Sequence, residues 1–148
     1  MDPISEQNDF KKAKRKKTLI AAIAGIAAVI AANTVFKMSP NIDKVLSETA
    51  SNINKNCPIM VDKATRFDNS IAMPDKVFQY NYTLVETENG TADTVKLKNY
   101  ITPLLLNNIK TSPDMKFFRE NKVTLAYYYK SKSGEYLCKV LLKPEQYE

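Results

Sequence analysis

From Thr18 to Phe36 the chain runs nineteen residues without one ionisable side chain, and a block of positive charge stands directly ahead of it. At about 1.5 Å of rise per residue a helix of that length spans roughly 28 Å, close to the roughly 30 Å hydrocarbon core of a bilayer. A helix satisfies its own backbone hydrogen bonds, as a bilayer demands. A domain of about a hundred residues would struggle to enclose a helix that is apolar all round. A cleaved signal peptide needs small residues at two places ahead of the cut. Ile30-Ala31-Ala32 puts a β-branched residue in the first of those places, and the run is long for a signal sequence, so an uncleaved anchor is expected. No cysteine sits at its end, which leaves a lipid-modified N-terminus without support.

Orientation follows from Lys11, Lys12, Lys14, Arg15, Lys16 and Lys17, against only Lys37 and Lys44 just beyond the span. Basic residues beside a span stay on the cytoplasmic side. The expected organisation is a cytoplasmic basic tail (1–17), a transmembrane helix (18–36) and an extracytoplasmic domain (37–148). Ala21, Ala24, Gly25 and Ala28 share a helical face, where small residues would let a second span approach closely, so self-association is one expected use of the anchor. The basic cluster also suits anionic lipid head groups, although setting topology is its default role.

Charge narrows the partners. The whole chain carries 22 basic and 16 acidic residues. Six of the basic and three of the acidic residues precede the span, so half of the net +6 is topology signal. Past residue 37 the basic residues are interspersed with acids, whereas nucleic-acid binding concentrates them on one surface. Nucleic acid is therefore not expected as a partner.

After the span, the periodicities predict one domain. Ser39-Pro40 is a helix-start signal, and Ile42, Val45, Leu46, Ala50 and Ile53 recur at helical spacing over 40–55. Asn56-Cys57-Pro58 ends that helix. A short extended piece follows at 59–61, then a weak strand pattern over 65–73 closed by Pro74-Asp75. Phe78, Tyr80, Tyr82 and Leu84 alternate with polar residues, the period of a half-buried strand. Asn89-Gly90 marks a turn. From about Ala92 the period is helical again, with Pro103 predicting a kink or a junction of two helices. Ser112-Pro113 starts a short helix to about Glu120 with Met115 and Phe118 inward. Two alternating strands over 123–129 and 136–142 form a terminal hairpin through a turn at 131–134. The predicted fold is α+β: two layers, about a four-stranded antiparallel sheet, with helices on one face.

Chemistry is sparse. The chain has no histidine, which removes the commonest general base, and three glycines cannot build a phosphate loop. No motif implies a cofactor, a metal or an enzyme activity. Cys57 and Cys138 are the distinctive pair. In an oxidising compartment a structural disulfide is one expectation, closing a loop of about 80 residues for roughly 4 kcal/mol. Two separate buried thiols, or a thiol-redox pair, are the other readings. Five of eight tyrosines fall in two predicted strands. They read as core or, if a sheet face is uncovered, as a contact patch at Tyr127, Tyr128 and Tyr129; alternation sends Tyr128 to the face opposite the other two.

At Asn56-Cys57-Pro58, Val61-Asp62, Thr65-Arg66-Phe67-Asp68 and Tyr80-Asn81-Tyr82-Thr83-Leu84 the chain resembles a group of small bacterial membrane or exported proteins of unassigned function. The stretch from Pro113-Asp114-Met115 through Tyr127 is similar as well. The resemblance implies an inner-membrane protein whose domain faces the periplasm or the exterior, and it brings no activity or site. Together with the residues it points to a domain for protein–protein contact or envelope assembly, the alternative being a membrane-tethered thiol-redox protein.

Overall fold

The computed structural model describes residues 41–88 and 93–148. The basic tail, the 18–36 span with its small-residue face, and the Asn89-Gly90 turn lie outside the described residues. Among those described, no helix is long and apolar enough to cross a membrane.

Helix α1 (Ile42–Asn54) is started by Asn41, whose side chain accepts from the Lys44 N–H. Its buried residues, Val45, Leu46, Thr49, Ala50 and Ile53, form one stripe. Three strands follow: β1 (Ile59–Met60), β2 (Thr65–Met73) and β3 (Val77–Leu84). Asp43 holds the β2–β3 turn by accepting from the Lys76 N–H at 2.9 Å. Helix α2 (Thr94–Thr111) continues through Pro103 as one helix. The carbonyl that Pro103 leaves without its helical donor belongs to Asn99, on the exposed side, where water can serve it. Ser112 then caps a 3-10 turn (Pro113–Met115) that leads into α3 (Lys116–Glu120). The terminal hairpin is β4 (Thr124–Ser131) and β5 (Tyr136–Leu142), with α4 (Pro144–Tyr147) after it.

The sheet corrects one expectation. It has five strands in the order β1-β2-β3-β4-β5, and its central pair, β3 and β4, is parallel rather than antiparallel. Parallel neighbours need a crossover of a dozen residues or more, and the α2–α3 segment supplies it. What reads as two separate hairpins is one sheet joined through that crossover.

Helices α1 and α2 pack on β2 and β5 respectively. Between them the covered face is filled by aromatic rings. Tyr80 stacks on Tyr127 at 5.3 Å between centroids, and Tyr82 on Tyr129 at 5.2 Å. These pairs are in register across the parallel ladder, so their rings lie side by side. Phe67, Phe78, Leu46, Leu105, Ile109, Phe118 and Leu125 complete a single core, each fully buried. Arg119 closes the end of α2, donating to the Ile109 carbonyl and, at 2.8 Å, to that of Ser112. Tyr147 ties the last helix down by donating to the Val123 carbonyl.

Candidate interaction surface

The second face of the sheet carries no helix among the described residues, and its side chains fall into rows across the strands. Arg66, Thr83, Lys130 and Tyr136 are register partners in one row. Asn69, Asn81, Tyr128 and Lys139 form the next, and Ile71, Gln79, Ala126 and Leu141 the third.

The first row is organised by Asp68. The pairing of β2 with β3 jumps from Phe67 to Asn69, so Asp68 is a bulge residue, added to the open face beside Arg66. Its carboxylate accepts from Arg66 Nε at 2.6 Å and Thr83 Oγ1 at 2.6 Å, with Lys130 Nζ at 3.2 Å. Burial pushes the Asp68 pKa up, but the hydrogen bonds from Thr83, Arg66 and Lys130 outweigh it and hold the group below its ordinary value of 3.8. A carboxylate held ionised in this way is a poor proton donor at neutral pH. The group therefore acts as a clasp joining β2, β3 and β4.

A stability prediction follows. Folding lowers the Asp68 pKa, so its contribution is complete above the ordinary carboxylate value and is lost as pH falls through the lowered one. Asp68→Asn is expected to cost about 1–2 kcal/mol at neutral pH. Denaturant titrations of both chains should show that gap close between about pH 5 and about pH 2. A gap independent of pH would mean that the carboxylate's charge is irrelevant.

The second row is an amide ladder. Gln79 Nε2 donates to Asn81 Oδ1 at 2.8 Å, and Asn81 Nδ2 donates to Asn69 Oδ1 at 2.7 Å. Beside it the ring of Tyr128 lies 5.4 Å from that of Tyr136. Ala126 is fully buried although it faces this side, while the ends of its row, Ile71 and Leu141, are 46% and 44% exposed. Tyr136, at the corner, is 56% exposed. Exposed aliphatic and aromatic side chains thus lie among Asn, Gln, Lys and Arg on an open surface rather than in a closed pocket. Among the described residues no three His, Cys, Asp or Glu side chains converge as metal ligands would.

The sequence-predicted site residues separate here. Tyr127 and Tyr129 are core residues, 2% and 5% exposed, which corrects their place in a contact patch. The apolar stripes of α1 and α2 select their face for burial. Tyr128 alone of the three reaches the open face, where its true neighbours are Tyr136 and Lys139. Asp68, Ile71 and Leu141 carry no sequence signal beyond ordinary strand alternation.

Cys57 and Cys138 are both free thiols, so the expected bridge is not present. Cys57 leads into β1 at one edge of the sheet and Cys138 lies in β5 at the other. Four strand spacings of about 4.8 Å separate those edges, far beyond the roughly 7 Å that a disulfide's Cα atoms tolerate. The same separation prevents the two thiols from acting as a redox pair. Burial raises both thiol pKa values, against the thiolate that such chemistry uses.

Residues 41–138, from the cap of α1 to Cys138 in β5, match the family described as Domain of unknown function (DUF8479). The chain belongs to that family. Its description names no activity, in keeping with the proteins of unassigned function that the sequence resembles. No curated protein matches the chain in sequence.

Solved structures share its fold. A Pseudomonas aeruginosa protein described as a presumed secreted protein has a TM-score of 0.60 at 7% identity, covering 72% of this chain and 93% of its own. A Vibrio vulnificus pilotin of the type II secretion system, EpsS, has a TM-score of 0.57 at 7% identity. The Vibrio cholerae type II secretion pilotin AspS has a TM-score of 0.53 at 10% identity. Each pilotin covers 72% of this chain and is itself 92% covered. At these identities the likeness is one of fold.

Proposed function

We propose that this chain is a single-pass membrane protein of the bacterial envelope whose domain, residues 37–148, lies outside the cytoplasm and works by protein–protein contact. Residues 18–36 are its anchor in the inner membrane and residues 1–17 its cytoplasmic tail. The observation that carries the contact role is the open sheet face, where Ile71, Tyr128, Tyr136 and Leu141 stand exposed or half-exposed on a rigid sheet. The fold's use by secretion-system pilotins and a presumed secreted protein supports an assembly role over an enzymatic one. Among the described residues of this face, the Asp68 carboxylate is committed to Arg66, Thr83 and Lys130, which makes it a poor proton donor at neutral pH.

The test is made in intact cells. A membrane-impermeant amine cross-linker applied to cells producing the full chain is expected to yield a discrete adduct of higher mass. Ile71→Asp combined with Leu141→Asp should abolish it, since each places a charge where an apolar side chain meets the partner. Both positions are already more than two-fifths exposed, so the double variant should keep the wild-type unfolding midpoint within a few degrees. An adduct that survives the double substitution in a folded protein would rule this face out.

A further inference from the structure

The two edges of the sheet are treated differently. At the β2 edge, β1 pairs with Arg66 and Phe67, and the Asn54 side chain takes the next outward backbone groups, accepting from the Ser70 N–H at 2.7 Å and donating to its carbonyl at 2.8 Å. The β5 edge has neither a strand nor a side-chain cap among the described residues. Beside it lies a groove of about 260 Å³, walled by Thr94, Val95, Lys98 and Asn99 of α2 and by Tyr136 to Lys139 of β5. Tyr136 and Lys139 belong to rows of the open face while Leu137 and Cys138 are buried, so what the four share along the groove is main chain. The volume lies below the roughly 300–1,000 Å³ of small-molecule pockets, and unpaired strand backbone selects another strand.

Charge narrows the occupant further. Lys98 and Lys139 line the groove, no carboxylate does, and neither lysine is in an ion pair among the described residues. The edge is also guarded against indiscriminate pairing. Leu137 is a bulge residue, since the pairing with β4 jumps from Cys138 to Tyr136, and Lys139 puts a charge beside the edge. The bulge acts on any incoming strand alike, but the lysines discriminate: they repel a basic strand and attract an acidic one. We propose that the outer edge of β5 receives an extended, acidic segment of the partner protein as a sixth strand, with Lys98 and Lys139 engaging its carboxylates. This rests on the contact reading above and names the partner's chemistry: main-chain pairing supplies affinity, and the lysines supply selectivity.

Three blocked ten-residue peptides test it against the isotope-labelled full chain in detergent micelles. One alternates Val and Thr with three Glu, the second carries Lys in place of Glu, and the third is the Glu peptide with alternate backbone nitrogens methylated. The Glu peptide is expected to slow hydrogen exchange at the outward β5 amides about tenfold or more, with the Lys and methylated peptides giving little protection. Lys98→Glu with Lys139→Glu should reverse the preference between the first two. Equal protection by the methylated peptide, or protection by the Lys peptide matching that by the Glu peptide, overturns the proposal. Signals that move at Ile71, Tyr128 and Leu141 while β5 exchange is unchanged overturn it too, and leave the open-face reading standing. Failure of that reading shows instead in the intact-cell adduct surviving Ile71→Asp with Leu141→Asp.

Discussion

Phe78→Ala is expected to destabilise the domain by about 3–5 kcal/mol, the usual cost of removing a fully buried phenyl ring. Phe78 has no exposure to solvent, and its ring meets Tyr80 at 5.0 Å and Phe118 at 5.3 Å. It therefore joins the central strand β3 to the crossover that makes β3 and β4 parallel. Losing the ring removes transfer free energy and leaves a cavity between rigid aromatic neighbours that relax poorly into it. Since domains of this size are stable by about 5–15 kcal/mol, the variant should be marginal at room temperature. Phe78→Leu, which keeps much of the volume, should cost far less. Denaturant unfolding of the full chain in detergent measures both. A loss below about 1 kcal/mol for the alanine variant would mean that the ring is not at the centre of the core.

Asn54→Ala should cost about 2–3 kcal/mol, a large effect for a half-buried polar side chain. The amide stands in for a neighbouring strand at the β2 edge, and Asn54 Oδ1 also receives the Ser70 hydroxyl at 3.2 Å. Without it, the buried Ser70 loses partners for both its N–H and its carbonyl, and such unpaired groups cost more than the bonds were worth. Asn54→Asp separates the two bonds. A carboxylate can still accept from the Ser70 N–H but would face the Ser70 carbonyl without a proton to offer, so its cost at neutral pH should be comparable to that of alanine or greater. Both variants should also speed hydrogen exchange at Ser70 selectively. An aspartate variant as stable as wild type would show that the bond to the Ser70 carbonyl contributes nothing.

Much of the secondary structure was legible because burial is periodic. Phe78, Tyr80 and Tyr82 announce β3, and the stripe through Val45, Leu46, Ala50 and Ile53 announces α1. Strand order was not legible, since the parallel pairing of β3 with β4 is decided by where α2 and α3 return the chain. The face of Tyr127 and Tyr129 could be separated from that of Tyr128 by alternation alone. Which face the helices cover depends on packing between distant segments, so the two buried tyrosines passed for a contact patch. The cysteines show the same limit: an oxidising compartment favours pairing, but topology sets Cys57 and Cys138 at opposite edges. The Asp68 clasp depends on a bulge, and one residue of slippage leaves no mark on the pattern around it. At the open face, Ile71 and Leu141 looked like ordinary strand residues until the register placed them in one row.

The position of the domain relative to the membrane is tested by one labelling experiment. Lys132 is exposed in the β4–β5 turn. Lys132→Cys, in a chain whose own Cys57 and Cys138 are replaced by alanine, gives a single reactive thiol. A maleimide too polar to cross the inner membrane is applied to intact cells with a permeable outer layer, and to lysed cells in parallel. Labelling in intact cells to the level seen after lysis is the predicted result, with the domain outside the cytoplasm where a partner in the envelope can meet it. Labelling only after lysis would contradict the account, placing the domain and its open face in the cytoplasm.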